Sequence, residues 1–290
     1  MMSKKTFKNY LSSIREFESG IFLEKFNWYI ENYNKPIIKY PRTTAVGQVA
    51  REDETGKVIY DTLTVKEYFS TLGVNEYFDF SCSNCLNTMQ YKVINPWGFI
   101  GYQIGEAILI STGYYKPKLV GIDDQSELFE KYYLYLSNDL IWRNGNKETI
   151  YTIPNTQKKI IVTDVNRWEG SFTGKNGVNS VDDLMDCNKQ DIIFVDILRY
   201  NYIILEYEFL KRDIKIIDLI NKSKVFYTNF DKDELKINLT LSGILSTAHF
   251  SGAYGVLNLL IDGKSNLDEF GTSSIKYLEK FSGYEMNLYD

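Results

Sequence analysis

The stretch GFIGYQIGEAILISTGYY, residues Gly98 to Tyr115, sets a glycine-bearing turn directly before a short apolar run. Gly98 and Gly101 let the backbone turn tightly and approach a ligand closely. Tyr102 and Gln103 offer a stacking face and an amide that both donates and accepts hydrogen bonds. The apolar positions after them predict a helix over 104–111. Two readings fit this spacing, an ordinary helix-entry turn and one wall of a substrate cleft. Glu106 is the segment's own carboxylate and a possible second carboxylate for acid–base chemistry. On a helix beginning at Gln103 it lies about 160° from Ile104 and Ile108, so it is expected to face outward as a surface or capping residue.

Composition bounds what surrounds this segment. A chain of 290 residues, 44% hydrophobic and 24% charged, can bury a substantial core, and one elaborated domain over 1–290 is expected. A net charge of -5 and a pI near 5.2, with no basic stripe, argue against a nucleic-acid partner. The 23 tyrosines offer faces for stacking on sugars, although their rise together with Asn, Lys and Ile also fits the codon drift of a low-GC genome. Three cysteines do not make a disulfide framework. Cys82 and Cys85 form a lone CxxC whose only further thiol or imidazole partners for zinc are Cys187 and His249, so shielded thiols are the better reading and no metal or cofactor is expected. The amino terminus lacks an uninterrupted apolar stretch and a cleavage site, and no apolar run reaches the roughly 18–20 residues of a membrane span. Synthesis in the cytoplasm without a Sec signal is the expectation.

Along the chain, Phe7, Leu11 and Ile14 recur at helical steps, Glu18 is next on that face, and Gly20 stands where a left-handed C-cap belongs. A carboxylate that continues an apolar stripe is partly desolvated and has a raised pKa, as a general acid requires. The same spacing also fits a frayed helix end with Glu18 in water. Residues 21–90 read as strands and loops, including KPIIKYP and GKVIYDTLTV, with REDETG as a solvated turn. LFEKYYLYL suggests a helix, KKIIVTDV a strand and RNGNKE a turn. Val181 to Leu210 reads as one helix with Ser180 as its N-cap. A final helical pair covers about 240–260 and 273–281.

Three separated segments resemble the pattern of goose-type lysozymes and soluble lytic transglycosylases. Glu18-Ser19-Gly20 is similar to the E-S-G that ends the family's first long helix. Gly98 to Gln103 is similar to its G-x-x-G-x-x-Q turn, and Ala248-His249-Phe250-Ser251-Gly252-Ala253-Tyr254-Gly255-Val256 to its third helix. WEGSFTGKNGVNSVDDLM and NLDEFGTSSIKYLEKFSGYE resemble segments of the branch associated with phage tails and contractile secretion systems. The matched segments cover about a third of the chain. The resemblance implies an α+β, mainly α fold, a lysozyme-like helical domain with β-containing insertions at about 21–90 and 116–165.

What the resemblance implies for function is cleavage of the glycan strands of peptidoglycan, as a muramidase or a lytic transglycosylase. Glu18 would protonate the leaving glycosidic oxygen and then act as a base. Ser19, Tyr102, Gln103, His249 and Tyr254 would bind substrate. A phage tail or secretion apparatus is the implied partner, delivering the protein to the periplasm or outside the cell by a non-Sec route. Two other readings stand beside this one. The scaffold can serve as a non-catalytic, structural or glycan-binding component of such an apparatus. Alternatively, Cys187 and His249 occur in the order used by papain-like cell-wall peptidases, although Cys187 reads as lying inside a helix rather than at its start.

Overall fold

The structure, a computed structural model, describes residues 5–43, 49–52, 55–95, 98–119, 137–143, 146–152, 159–163, 166–227, 234–268 and 271–288. Helix accounts for 49% and strand for 17%, so the fold is α+β and mainly α. In chain order, α1 (Phe7–Ser19) and α2 (Phe26–Glu31) precede β1 (Ile38–Pro41), β2 (Tyr60–Leu63), α3 (Val65–Thr71) and α4 (Cys85–Lys92). Next come β3 (Ile94–Asn95), β4 (Gly98–Phe99), α5 (Glu106–Ser111), β5 (Tyr115–Lys116) and β6 (Lys118–Leu119). Then follow β7 (Ser137–Arg143), β8 (Asn146–Thr152), β9 (Lys159–Thr163), β10 (Ser171–Phe172) and the long α6 (Cys187–Leu210). Last are α7 (Ile216–Leu219), β11 (Ser223–Tyr227), β12 (Glu234–Asn238), α8 (Leu241–Asp262) and α9 (Ser274–Lys280). The chain forms two compact units, Met1–Met89 with Ile197–Asp290, and Gln90–Asp196.

In the first unit, α1 ends at the C-cap its sequence predicts. Thr6 accepts a hydrogen bond from the Asn9 amide, and Gly20 closes the helix at φ 68°. The buried row on α1 runs through Tyr10 and Ile14, both fully buried, and leads to Glu18 at the next i+4 position. Residues 21–90 correct the expectation of strands and loops, because α2, α3 and most of α4 lie there beside the antiparallel pair β1–β2. These helices are six to eight residues long, too short to show an apolar period. Even so, α3 opens on a capping box, with Thr64 and Glu67 each accepting the other's backbone N–H.

The pair α8–α9, expected over about 240–260 and 273–281, completes this unit, with N-caps at Thr240 and Ser273. The first half of α8 carries small buried residues, Ser242, Gly243, Ser246 and Thr247, which let α9 approach closely. A Cβ at Gly243 would sit 2.6 Å from the Leu278 carbonyl oxygen. Among the described residues α8 is the one helix long and apolar enough to cross a membrane, but 61% of its apolar window is buried inside the protein, as in a core helix. It also breaks at Gly252, whose φ 71° and ψ 165° belong to a region that side-chain-bearing residues scarcely enter.

In the second unit, strands β6, β9, β8 and β7 form an antiparallel sheet in that order, within the stretch expected to carry a β-containing insertion. The KKIIVTDV strand is β9, and β7 and β8 pair up to Arg143 opposite Asn146 across the expected turn. The helix expected for LFEKYYLYL lies outside the described residues. The glycine-bearing turn is closed by reciprocal backbone bonds between Phe99 and Ile104. Helix α5 begins at Glu106 rather than at Ile104. The expected single helix over 181–210 is also corrected. A 3-10 turn at Asp182–Met185 comes first, with Ser180 accepting the Asp183 amide, then the extended Asp186 resets the chain before α6. The side chain of Asp186 caps α6 through the Lys189 amide.

Candidate functional site

Glu18 occupies the last turn of α1, where α1, α8 and α9 of the first unit converge. The Tyr277 hydroxyl on α9 donates a 2.8 Å hydrogen bond to its Oε1, and His249 Nε2 on α8 stands 3.5 Å from the same oxygen. The carboxylate side chain is 11% exposed and the imidazole 9%. Among the described residues Oε2 has no hydrogen-bond partner. Among the described residues, therefore, one carboxyl oxygen is held by the protein and the other is not.

Burial sets the protonation of this group. Desolvation lifts the Glu18 carboxyl to about 7, against the lowering effect of the Tyr277 hydrogen bond, and the negative charge of Asp268 adds to the rise. Burial also lowers His249 to about 4. Between those two values both groups are neutral, so the 3.5 Å approach is not an ion pair there. The arrangement provides a protonated carboxylic acid near neutral pH, the state a general acid needs.

Aromatic packing fixes the surroundings. Phe250 stacks on Tyr277 at 4.5 Å and 22°, and Phe17 meets Tyr277 edge-on at 5.1 Å. Phe250 is also part of an open depression of about 530 Å³ lined by Ser251, Ser265, Asn266, Leu267 and Asp268. Its far wall is tied to the start of α9, where Ser274 exchanges hydrogen bonds with Asn266. Asp268 is braced in the same way, its Oδ1 accepting the Thr272 amide at 2.6 Å. Reading the sequence missed Tyr277 and Asp268 as site residues, although both fall in the NLDEFGTSSIKYLEKFSGYE segment.

Several expected site residues do other things. The Ser19 hydroxyl donates to the Arg15 carbonyl at 2.7 Å and accepts the Ile21 amide, so it closes the helix end instead of meeting substrate. Tyr254 is 63% exposed on α8, past the break at Gly252. Tyr102 belongs to the core of the second unit. It is fully buried, stacks on Phe194 at 4.3 Å and donates a 2.6 Å hydrogen bond to Asp191. Its phenol ring is thus spent on packing, which corrects the expectation that it lines a sugar groove. Gln103 takes the left-handed conformation at φ 51°, and its Nε2 donates to the Ile100 carbonyl.

Glu106 corrects the expectation of an outward-facing residue. It is 1% exposed, and its carboxylate accepts the amides of Arg167 at 3.0 Å and Trp168 at 2.9 Å, while Asn166 Oδ1 accepts the Glu106 amide at 2.8 Å. Because α5 starts at Glu106, this residue sits in the first turn and points at the following loop. Burial raises its carboxyl pKa, and hydrogen bonds from Tyr115 and those two amides oppose the rise. With both oxygens engaged inside the second unit, Glu106 works as an anchor for the 166–168 loop.

Cys187 is the exposed first residue of α6, which corrects its expected position in a helix interior. It belongs to the second unit, whereas His249 belongs to the first and faces Glu18. Among the described residues no three His, Cys, Asp or Glu side chains gather as a metal site. No protein-family model matches this chain, and neither the curated proteins nor the solved structures contain a match.

Proposed function

We propose that this protein cleaves the glycan strands of peptidoglycan, with Glu18 as the general acid. The observation that carries this reading is the Glu18 carboxyl, desolvated to a pKa of about 7, fastened through Oε1 by Tyr277 and, among the described residues, unpartnered at Oε2. Oε2 donates its proton to the glycosidic oxygen as the C1–O bond opens and the sugar gains oxocarbenium character. His249, neutral and adjacent, keeps a polar wall beside the acid without neutralising it by charge. The resemblance of the E-S-G, G-x-x-G-x-x-Q and third-helix segments to goose-type lysozymes and lytic transglycosylases supports the substrate. Delivery by a phage tail or contractile secretion system belongs to the same proposal.

A non-catalytic, structural role in such an apparatus is the second reading, and the burial of Tyr102 favours it, since one expected sugar contact is missing. Digestion of purified peptidoglycan by the wild-type protein and by Glu18→Gln, with mass analysis of the soluble products, separates the two. Release of muropeptides that disappears with Glu18→Gln is the expected result. Release that is unchanged in the variant, or none from the wild type, removes the enzymatic reading.

A further inference from the structure

Cys82 and Cys85 bound the turn Cys82-Ser83-Asn84-Cys85 at the entry to α4, and the Cys85 amide closes it by donating to the Cys82 carbonyl at 3.1 Å. A hydrogen-bonded turn of this kind holds its end Cα atoms less than about 7 Å apart, and a disulfide spans about 4.4–6.8 Å between Cα atoms. The Cys85 side chain folds back over the turn. Its thiol donates to the Asp79 carbonyl at 3.6 Å, the same oxygen that accepts the Cys82 amide at 3.3 Å. The sulfur of Cys85 is thus directed toward the Cys82 end of the turn instead of along the helix. Both flanks are anchored. Asp79 Oδ1 accepts the amide and the hydroxyl of Ser81, Phe78 stacks on Tyr33 at 5.4 Å, and Leu86 and Met89 on α4 are fully buried.

The two thiols differ in access. Residues 81–84 are all exposed, Cys82 among them, which corrects the reading of both thiols as shielded. Cys85 is only 8% exposed. Burial pushes its thiol up, and the negative charges of Asp79 and Cys82 add to the rise, so its thiolate is disfavoured. Among the described residues no third metal-ligating side chain joins the pair. We propose that Cys82 and Cys85 form a thiol–disulfide exchange site, in which Cys82 attacks a small-molecule disulfide and Cys85 resolves the adduct into an intramolecular disulfide at the entry to α4. This chemistry stands whether or not the protein cleaves glycan.

The co-reactant is a low-molecular-weight disulfide of the glutathione class. Cys82 loses its proton to solvent, and its thiolate bonds to one sulfur of the disulfide as the S–S bond breaks and one glutathione leaves as a thiolate. Cys85 then loses its proton and attacks the Cys82 sulfur. The Cys82–Cys85 bond forms, the mixed disulfide breaks, and the second glutathione leaves. Solvent protonates both departing thiolates. The protein gives up two electrons and two protons, and the disulfide is reduced to two thiols. A reducing compartment keeps the pair open, and an oxidising one closes it.

The test uses the full chain with Cys187→Ser, which removes the exposed thiol at the start of α6. The protein is incubated with oxidised glutathione, quenched with acid, alkylated and read by intact mass and peptide mapping. The parent is expected to lose two hydrogens, resist alkylation and yield one peptide pair joined through Cys82 and Cys85, with no lasting adduct. Cys85→Ser is expected to accumulate a single glutathione on Cys82. Cys82→Ser is expected to react at least about tenfold more slowly at Cys85, and to lose that difference in denaturant. A parent that ends as a stable glutathione adduct, or stays reduced, overturns the proposal, as do equal rates for the two single variants in the folded state. If either variant proves unfolded by circular dichroism, the parent's end product and its accessible thiols still decide.

Discussion

The Tyr277 hydroxyl donates to Glu18 Oε1 at 2.8 Å, joining residues 259 positions apart in the chain. This bond lowers the carboxyl pKa while burial raises it, and burial wins. The phenol ring is itself held between Phe17 and Phe250, so the donor that orients the acid is built into the core of its unit.

Replacing Tyr277 with Phe keeps the ring packing and removes only the donor. The Glu18 carboxyl is expected to titrate above its present value of about 7. The basic limb of the pH–kcat/KM profile should shift upward with it, and stability should fall by about 1–2 kcal/mol. A titration of ¹³C-labelled glutamate by NMR, wild type against variant, reads the shift directly.

Stability should depend on pH through Glu18. Its folded pKa of about 7 exceeds the ordinary carboxyl value of 4.5, so the folded state binds this proton more tightly than the unfolded state. The resulting stabilisation is complete below about pH 4.5 and is lost as pH rises through 7. Glu18→Gln removes this dependence. Between pH 4 and 8 its stability relative to wild type should rise by about 3 kcal/mol in urea unfolding.

His249 acts in the opposite direction. Its folded pKa of about 4 lies below the ordinary 6.5, so its contribution is present above 6.5 and disappears as pH falls toward 4. His249→Gln is expected to flatten the acid-side loss of stability between pH 6.5 and 4, measured in the same unfolding series.

Gly20→Ala should damage the site through the backbone. Gly20 sits at φ 68°, and a Cβ there would lie 2.1 Å from the Tyr68 hydroxyl oxygen, which donates to the Gly20 carbonyl. A loss of about 1–3 kcal/mol is expected, together with reduced activity, since the displaced turn carries Glu18. A Gly20→Asn variant, better tolerated in the left-handed region but still crowded by Tyr68, should recover only part of the stability.

Glu106→Ala is expected to cost about 1–3 kcal/mol, because it removes the buried carboxylate that accepts the amides of Arg167 and Trp168. The pH–rate profile that the proposed function assigns to Glu18 should keep its position. A profile that moves with Glu106 would return this residue to the catalytic machinery.

Much of the helical frame was legible in the chain. Thr6, Thr240 and Ser273 mark their helix starts, and Gly20 marks the end of α1. These signals are local: a hydroxyl reaches an amide three residues on, and a residue without a Cβ takes the left-handed turn. The short helices of residues 21–90 were not legible, since six to eight residues display no full apolar period. Cys187 and Glu106 were misplaced for a related reason. A boundary error of two residues at Glu106 turned an inward anchor into an outward one, and the break at Asp186 put Cys187 at a helix start.

The amino-acid sequence by itself determined where α1, α8 and α9 begin, the glycine that stops α1, and the candidacy of Glu18, because each rests on residues within a turn or two of one another. Tertiary structure alone decided that Glu18 meets Tyr277 and His249, that Asp268 stands on the wall of the nearby depression, and that Tyr102 and Glu106 belong to the interior of the second unit. Desolvation and hydrogen bonding between residues hundreds of positions apart depend on which helix faces pack together, and no local spacing encodes that.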